Sequence, residues 1–157
     1  MTVERRVPRG RWWTRPNDLP LLAEAMFELA RAVLILRQKP FSEVARHLTR
    51  PARPGRLAAA NEVPMRVRWA VTTVARYLPW RSVCFDQAIA GQRMLERRGI
   101  LADLVYGVRN SERGPDAHVW VRLADDRIVL GGETASSFQP IALFRPGRED
   151  LKPPPSA

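Results

Sequence analysis

The sequence is poor in the residues that redox and metal chemistry need. A single cysteine, Cys84, rules out an internal disulfide and the paired-cysteine patterns of structural zinc sites. Two histidines, His47 and His118, leave little for a metal centre, so neither metal nor cofactor is expected. No apolar run reaches the roughly 18 residues of a membrane-spanning helix. The first residues lack the apolar stretch and small-residue cleavage site of a signal peptide. The expectation is a soluble cytoplasmic protein. Lysine is nearly absent: 24 of the 26 basic residues are arginine, the exceptions being Lys39 and Lys152.

What remains suffices for one ordinary domain. The chain has 157 residues, 45% of them hydrophobic and five of them Trp, so it can bury a core without covalent staples. Its formal charge is +10. Such an excess suits an acidic partner. It also follows from a composition rich in Arg, Ala, Pro and Gly, and no nucleic-acid motif or arginine-aromatic stacking pattern accompanies it.

Periodicity divides the chain. Residues 1–16 read as a basic arm ending in Trp12-Trp13, with docking of the tryptophans open. A helix is predicted over 17–37, capped by Asn17 or Asp18, with Pro20 in its first turn. Its apolar stripe is Leu22, Ala25, Met26, Leu29, Ala32, Val33 and Leu36, widening at Val33-Leu34-Ile35-Leu36 so that both sides are expected buried there. Ser42 is expected to cap a short helix through Leu48. Residues 49–56 form a Pro-Arg linker. A third helix runs from about Val63 to Leu78, with Val67, Val71, Val74 and Leu78 apolar. A fourth runs from about Val83 to Arg98, with Ser82 before it and Gly99 after it.

Alternation replaces helical periodicity after Gly99. Strands are predicted over 102–109, 117–123, 127–130 and 138–144, the last at a sheet edge because it contains Pro140. Asn110 to Asp116 reads as a polar loop, Asp125-Asp126 as a two-residue turn, and 146–157 as a disordered tail. Helices followed by an antiparallel sheet define an α+β fold. The expected organisation is an arm (1–16), a helical segment (17–60), a core (61–145) and the tail, as one domain overall.

Two residues can do chemistry. Cys84 sits in the first turn of the fourth helix, where the helix dipole and unpaired N–H groups favour a thiolate and can receive an oxyanion. A lone cysteine in a helix is more often a small buried apolar residue. His118 opens a strand, where histidine is more often structural. Together, a cysteine at a helix start and a histidine heading an antiparallel strand form the arrangement of papain-type and transglutaminase-type sites. Trp120, two residues on, shares the His118 face and walls the site or packs the core. Gln87 is open between a supporting amide and an oxyanion donor. Gly91 and Ala90 read as close-packing positions, Tyr106 as core, and His47 as a charge on a solvated helix end.

Six segments extend this pattern: Arg68-Trp69-Ala70, Ser82-Val83-Cys84-Phe85-Asp86-Gln87-Ala88, Leu95-Glu96-Arg97-Arg98-Gly99-Ile100, Tyr106-Gly107-Val108-Arg109, Ala117-His118-Val119-Trp120-Val121 and Val129-Leu130-Gly131-Gly132-Glu133. In this order and spacing the chain resembles the lasso peptide leader peptidases of the stand-alone type, cysteine peptidases of the transglutaminase-like superfamily. The likeness is clearest over 64–144 and extends to the helices in 18–48. It implies a papain/transglutaminase-like core and a Cys–His–Asp triad that hydrolyses the bond between leader and core of a ribosomally made precursor. Cys84 matches the nucleophile and His118 the base. It implies no cofactor, and as partners the precursor peptide, a separate leader-recognition protein and, as an open case, the lasso cyclase. No three-stranded leader-recognition domain is visible in the N-terminal region.

The third triad member departs from the family pattern. Many relatives carry an Asp a dozen or so residues after the His, where this chain reads Leu130-Gly131-Gly132. With Asp125-Asp126 as the turn, Leu123 faces Ile128 and His118 faces Glu133, which makes Glu133 the leading orienting group. Asp116 is the second choice, and a backbone or amide group the remaining one. A non-catalytic scaffold of the same fold that binds precursor or cyclase is the alternative reading, resting on the missing Asp. Acyl transfer to an amine and nucleic-acid binding have less behind them.

Overall fold

The computed structural model describes residues 18–50, 62–80, 83–112 and 114–147. The basic arm, residues 51–61 of the linker and helical segment, Ser82, and the tail from 148 lie outside the described residues. Four helices come first: α1 (Leu19–Gln38), α2 (Phe41–Leu48), α3 (Glu62–Tyr77) and α4 (Cys84–Arg97). Four strands follow: β1 (Ala102–Ser111), β2 (Gly114–Leu123), β3 (Ile128–Leu130) and β4 (Gln139–Phe144), with a 3₁₀ turn at Ala135–Ser137. All pairings are antiparallel and the order is β3-β2-β1-β4. The fold is α+β, as the patterning indicates, and β4 with Pro140 is an edge strand.

The core forms where α1, α3 and α4 meet one face of the sheet. Leu29 of α1, Val67 and Val71 of α3, Met94 and Leu95 of α4, and Leu104, Val121 and Phe144 of the sheet are almost fully buried. Each such side chain contributes about 1.5–3 kcal/mol by leaving water. Gln92 ties the layers together: its buried Nε2 donates to the carbonyls of Ala102 (2.9 Å) and Phe144 (3.3 Å), joining α4 to β1 and β4. Gly91 allows α4 to lie against Leu130 of β3, since a Cβ there would collide with that side chain.

Ion pairs set the α1–α4 pairing. Arg98 holds Glu24 of α1 with its two terminal nitrogens (3.0 and 2.6 Å). Glu28, whose side chain is fully buried, is paired by Arg97 and lies 3.4 Å from Arg93 Nε. The helices are therefore antiparallel, with the start of α1 beside the end of α4.

Several boundaries differ from those read in the sequence. Asp18 does not cap α1 with its side chain; its carboxylate accepts from Arg66 of α3 at 2.8 Å. The stripe of α1 is rotated toward Leu21, Ala25, Glu28, Leu29 and Ala32, leaving Met26 and Leu34 exposed, so the widened end is not buried on both sides. The ion pairs of Glu28 explain the rotation, because they place a charged position on the inner face. Pro40, not Ser42, occupies the cap position of α2. The β1–β2 hairpin runs on through the expected polar loop to Ser111 opposite Gly114, because Arg109 and Asp116 form an ion-paired rung. Pro146 and Gly147 are not part of a loose tail: Pro146 is buried and the Gly147 N–H donates to the carbonyls of Thr49 and Arg50.

Candidate active site

Cys84 is the first residue of α4, half-buried at the edge of the core. The turn that presents it is closed by Asp86, whose carboxylate accepts the Val83 N–H at 3.0 Å. Asp86 is itself buried. Burial pushes its carboxyl above the usual range, while the Val83 N–H and the charge of Arg37 pull it back. An acidic group in the first helical turn suits the dipole. Nothing in the sequence reading assigned Asp86 this role; its place three residues after the cap position was the available signal.

His118 stands in β2 opposite Gly107 of β1. Its ring stacks on Trp120, with centroids 6.0 Å apart, and lies 5.1 Å from the Phe138 ring. Trp120 lies beside His118, and with Val105, Ala135 and Phe138 it packs into a second small cluster. Gly107 makes room, since a Cβ there would sit 2.7 Å from the Trp120 ring. Across Phe138 lies the Arg109 guanidinium, 4.4 Å from the ring centroid, held in turn by Asp116 (3.1 and 2.8 Å).

The orienting group on the imidazole is a main-chain carbonyl. His118 Nε2 lies 2.8 Å from the Gly131 oxygen. A carbonyl only accepts, so Nε2 donates and, in the neutral ring, Nδ1 keeps the lone pair. Gly131 has φ 74°, the left-handed region that favours glycine, and this turn aims its oxygen at the ring.

The carboxylates expected here are elsewhere. Glu133 accepts from Arg68 of α3 at 2.7 Å and its side chain is 69% exposed. The β2–β3 ladder begins one residue off, at Arg122–Ile128, but regains the expected register at Val121–Leu130, where β3 ends. The left-handed turn at Gly131 then carries the chain out of the ladder before Glu133. Asp116, the second choice, is engaged by Arg109. Of the three alternatives, the backbone group is the one seated on His118.

The structure does not join Cys84 to His118. Among the described residues no hydrogen bond links them, and alternation puts His118 on the sheet face of Trp120 while Val119 and Val121 face the helices. Gln87 is half-buried in α4, Tyr106 is half-buried against the core, and His47 lies near Lys39 on the surface. Among the described residues no cluster of metal-ligating side chains occurs, and no helix is long and apolar enough to cross a membrane. Arg109 and Phe138 were missed in the sequence; they lie on strands or turns far apart in the chain, and only the hairpin register places them together.

A cysteine-headed helix laid on an antiparallel sheet that carries a histidine defines a transglutaminase-like core. The comparison with known families agrees: the model described as transglutaminase-like superfamily matches residues 25–143, most of the chain, and the protein belongs to that superfamily. It generally includes cysteine peptidases and transglutaminases. No curated protein and no solved structure matches the chain.

Proposed function

We propose that this protein is a cysteine peptidase that removes the leader from a ribosomally made lasso precursor peptide. The observation that carries the reading is the His118–Gly131 hydrogen bond, which supports a ring held in one tautomer with Nδ1 as the base. In the proposed reaction Cys84 loses its proton to Nδ1, and the sulfur attacks the scissile carbonyl. The N–H groups at the start of α4 receive the oxyanion. His118 returns the proton to the leaving amine, and water then hydrolyses the thioester, regenerating the thiol. His118 lies on the sheet face turned away from α4, so the step requires a rearrangement on substrate binding that brings Nδ1 to Cys84. The carbonyl of Gly131 fixes the ring but brings no negative charge to the imidazolium. A carboxylate in that place would do both.

By the same resemblance, a separate leader-recognition protein delivers the precursor. The test is cleavage of a lasso precursor peptide, followed by mass spectrometry, with and without a leader-recognition protein. Cys84→Ala that retains the parental circular dichroism spectrum is expected to leave the precursor intact, and Cys84→Ser nearly so, because losing the nucleophile removes several kcal/mol of transition-state stabilisation. Parental cleavage by the folded Ala variant overturns the peptidase reading. An inert parental protein under all conditions favours the scaffold instead.

A further inference from the structure

The face of α1 turned away from the core is apolar from Leu19 to Leu34. Leu19, Met26, Phe27 and Leu34 are 66%, 53%, 59% and 57% exposed. Ala23, Phe27, Ala30 and Leu34 follow a 4-3-4 spacing, the seam spacing with which one helix packs along another. Small residues alternate with large ones there, which leaves holes for the side chains of a facing helix. Scattered apolar residues are normal on a surface, but a continuous stripe opposite an already buried face marks an interaction site.

Charge decides what covers it. Arg31 borders the stripe and Arg37 lies at its C-terminal end, and among the described residues neither has an ion pair. The one acid at its border, Glu24, is held by Arg98. A second copy would bring two chains of charge +10 together and set cations against cations. We propose that the outer face of α1 docks one amphipathic helix of another protein, apolar on the contact side and acidic at its edges. Because α1 is antiparallel to α4, the docked helix extends toward the end of the helix pair that carries Cys84. This inference does not depend on the peptidase reading, since it rests on α1 alone.

The test uses the full chain and a fluorescein-labelled helical peptide of about three heptads, with Leu and Ala on the seam and Glu beside it. Its counterpart carries Lys in place of Glu. Fluorescence anisotropy should show the Glu peptide binding at least about tenfold tighter than the Lys peptide, with the difference shrinking from about 50 to about 500 mM salt. Phe27→Glu and Leu34→Glu, both at solvent-facing positions that leave the core intact, should each weaken binding about tenfold or more. Arg31→Glu should reverse the preference between the peptides. Equal binding of both peptides, no binding, or no effect of Phe27→Glu overturns the proposal. So does a dimer in sedimentation that Phe27→Glu dissolves, which assigns the stripe to a second copy. Flotation with phosphatidylglycerol vesicles that Phe27→Glu abolishes assigns it to a membrane surface. Binding that appears only after Trp12→Ala and Trp13→Ala together assigns it to this chain's own N-terminal segment.

Discussion

Replacing Gly131 with alanine tests the site at its least replaceable atom. Two separate costs follow from the geometry. The first is the backbone: φ is 74°, and a Cβ in that region costs about 1–2 kcal/mol. The second is space. The added carbon would stand 2.7 Å from the Val119 carbonyl oxygen, 3.1 Å from Trp120 Cβ and 3.2 Å from His118 Nε2. Main chain cannot yield as a flexible side-chain end does, so the turn itself must move, at a further cost of about 1–3 kcal/mol. Gly114 isolates the first cost: its φ is 106°, yet nothing lies within 4 Å of a Cβ there. Gly114→Ala is expected to cost about 1 kcal/mol and Gly131→Ala about 3 kcal/mol. For a domain of this size these become losses of roughly 3 °C and 9 °C in Tm by circular dichroism. Only the Gly131 variant should also disturb His118. The ¹⁵N shifts of its imidazole should report one Nε2–H tautomer in the parent and a mixture in Gly131→Ala. Equal Tm losses, with the Nε2–H signature intact in both variants, would refute the reasoning.

Glu133→Gln should lower stability by less than about 1 kcal/mol, since an exposed pair with Arg68 is largely screened, and should leave the His118 tautomer unchanged. A fall in kcat of a thousandfold or more would restore Glu133 as the orienting group. The pairing of Glu24 gives a pH dependence. Its hydrogen bond to Arg98, opposed by burial and aided by the charges of Arg98 and Arg97, holds its carboxyl below the usual glutamate value of about 4.5. The folded state thus binds the proton less readily than the unfolded chain. This stabilisation is present above about pH 4.5 and is lost as pH falls through the lower folded value. In urea unfolding, Glu24→Gln should flatten the acid limb below pH 4.5 relative to the parent; an unchanged slope would show that the pair carries no stability.

The fold class was legible because it rests on periods. Valines at helical spacing in α3 give way, after Gly99, to alternation, and Pro140 marked β4 as an edge. The rotation of α1 was not legible, because tertiary pairs set it. Glu28 at an inner position of α1 reads as a surface charge until Arg93 and Arg97 of α4, nearly seventy residues away, stand opposite it. The site shows the same division. Cys84 at a helix start and His118 in a strand can be read from the string. The partner of His118 cannot, because a backbone carbonyl carries no residue identity. The only mark it leaves is the glycine at 131, whose φ of 74° favours that residue type.

The absence of a carboxylate there has a consistent physical shape. An Asp at position 131 would need its Cβ in the space between Val119 and Trp120 while its backbone held φ 74°. β3 ends at Leu130, and the turn at Gly131 sets its carbonyl oxygen 2.8 Å from the imidazole Nε2. A carboxylate is a side-chain length too long for that gap, whereas a carbonyl fits it. The chemical consequence is a histidine oriented by a carbonyl rather than a carboxylate. The two carboxylates expected beside it, Asp116 and Glu133, each sit in an ion pair with an arginine. The histidine is held by geometry, and the charges around it are committed elsewhere.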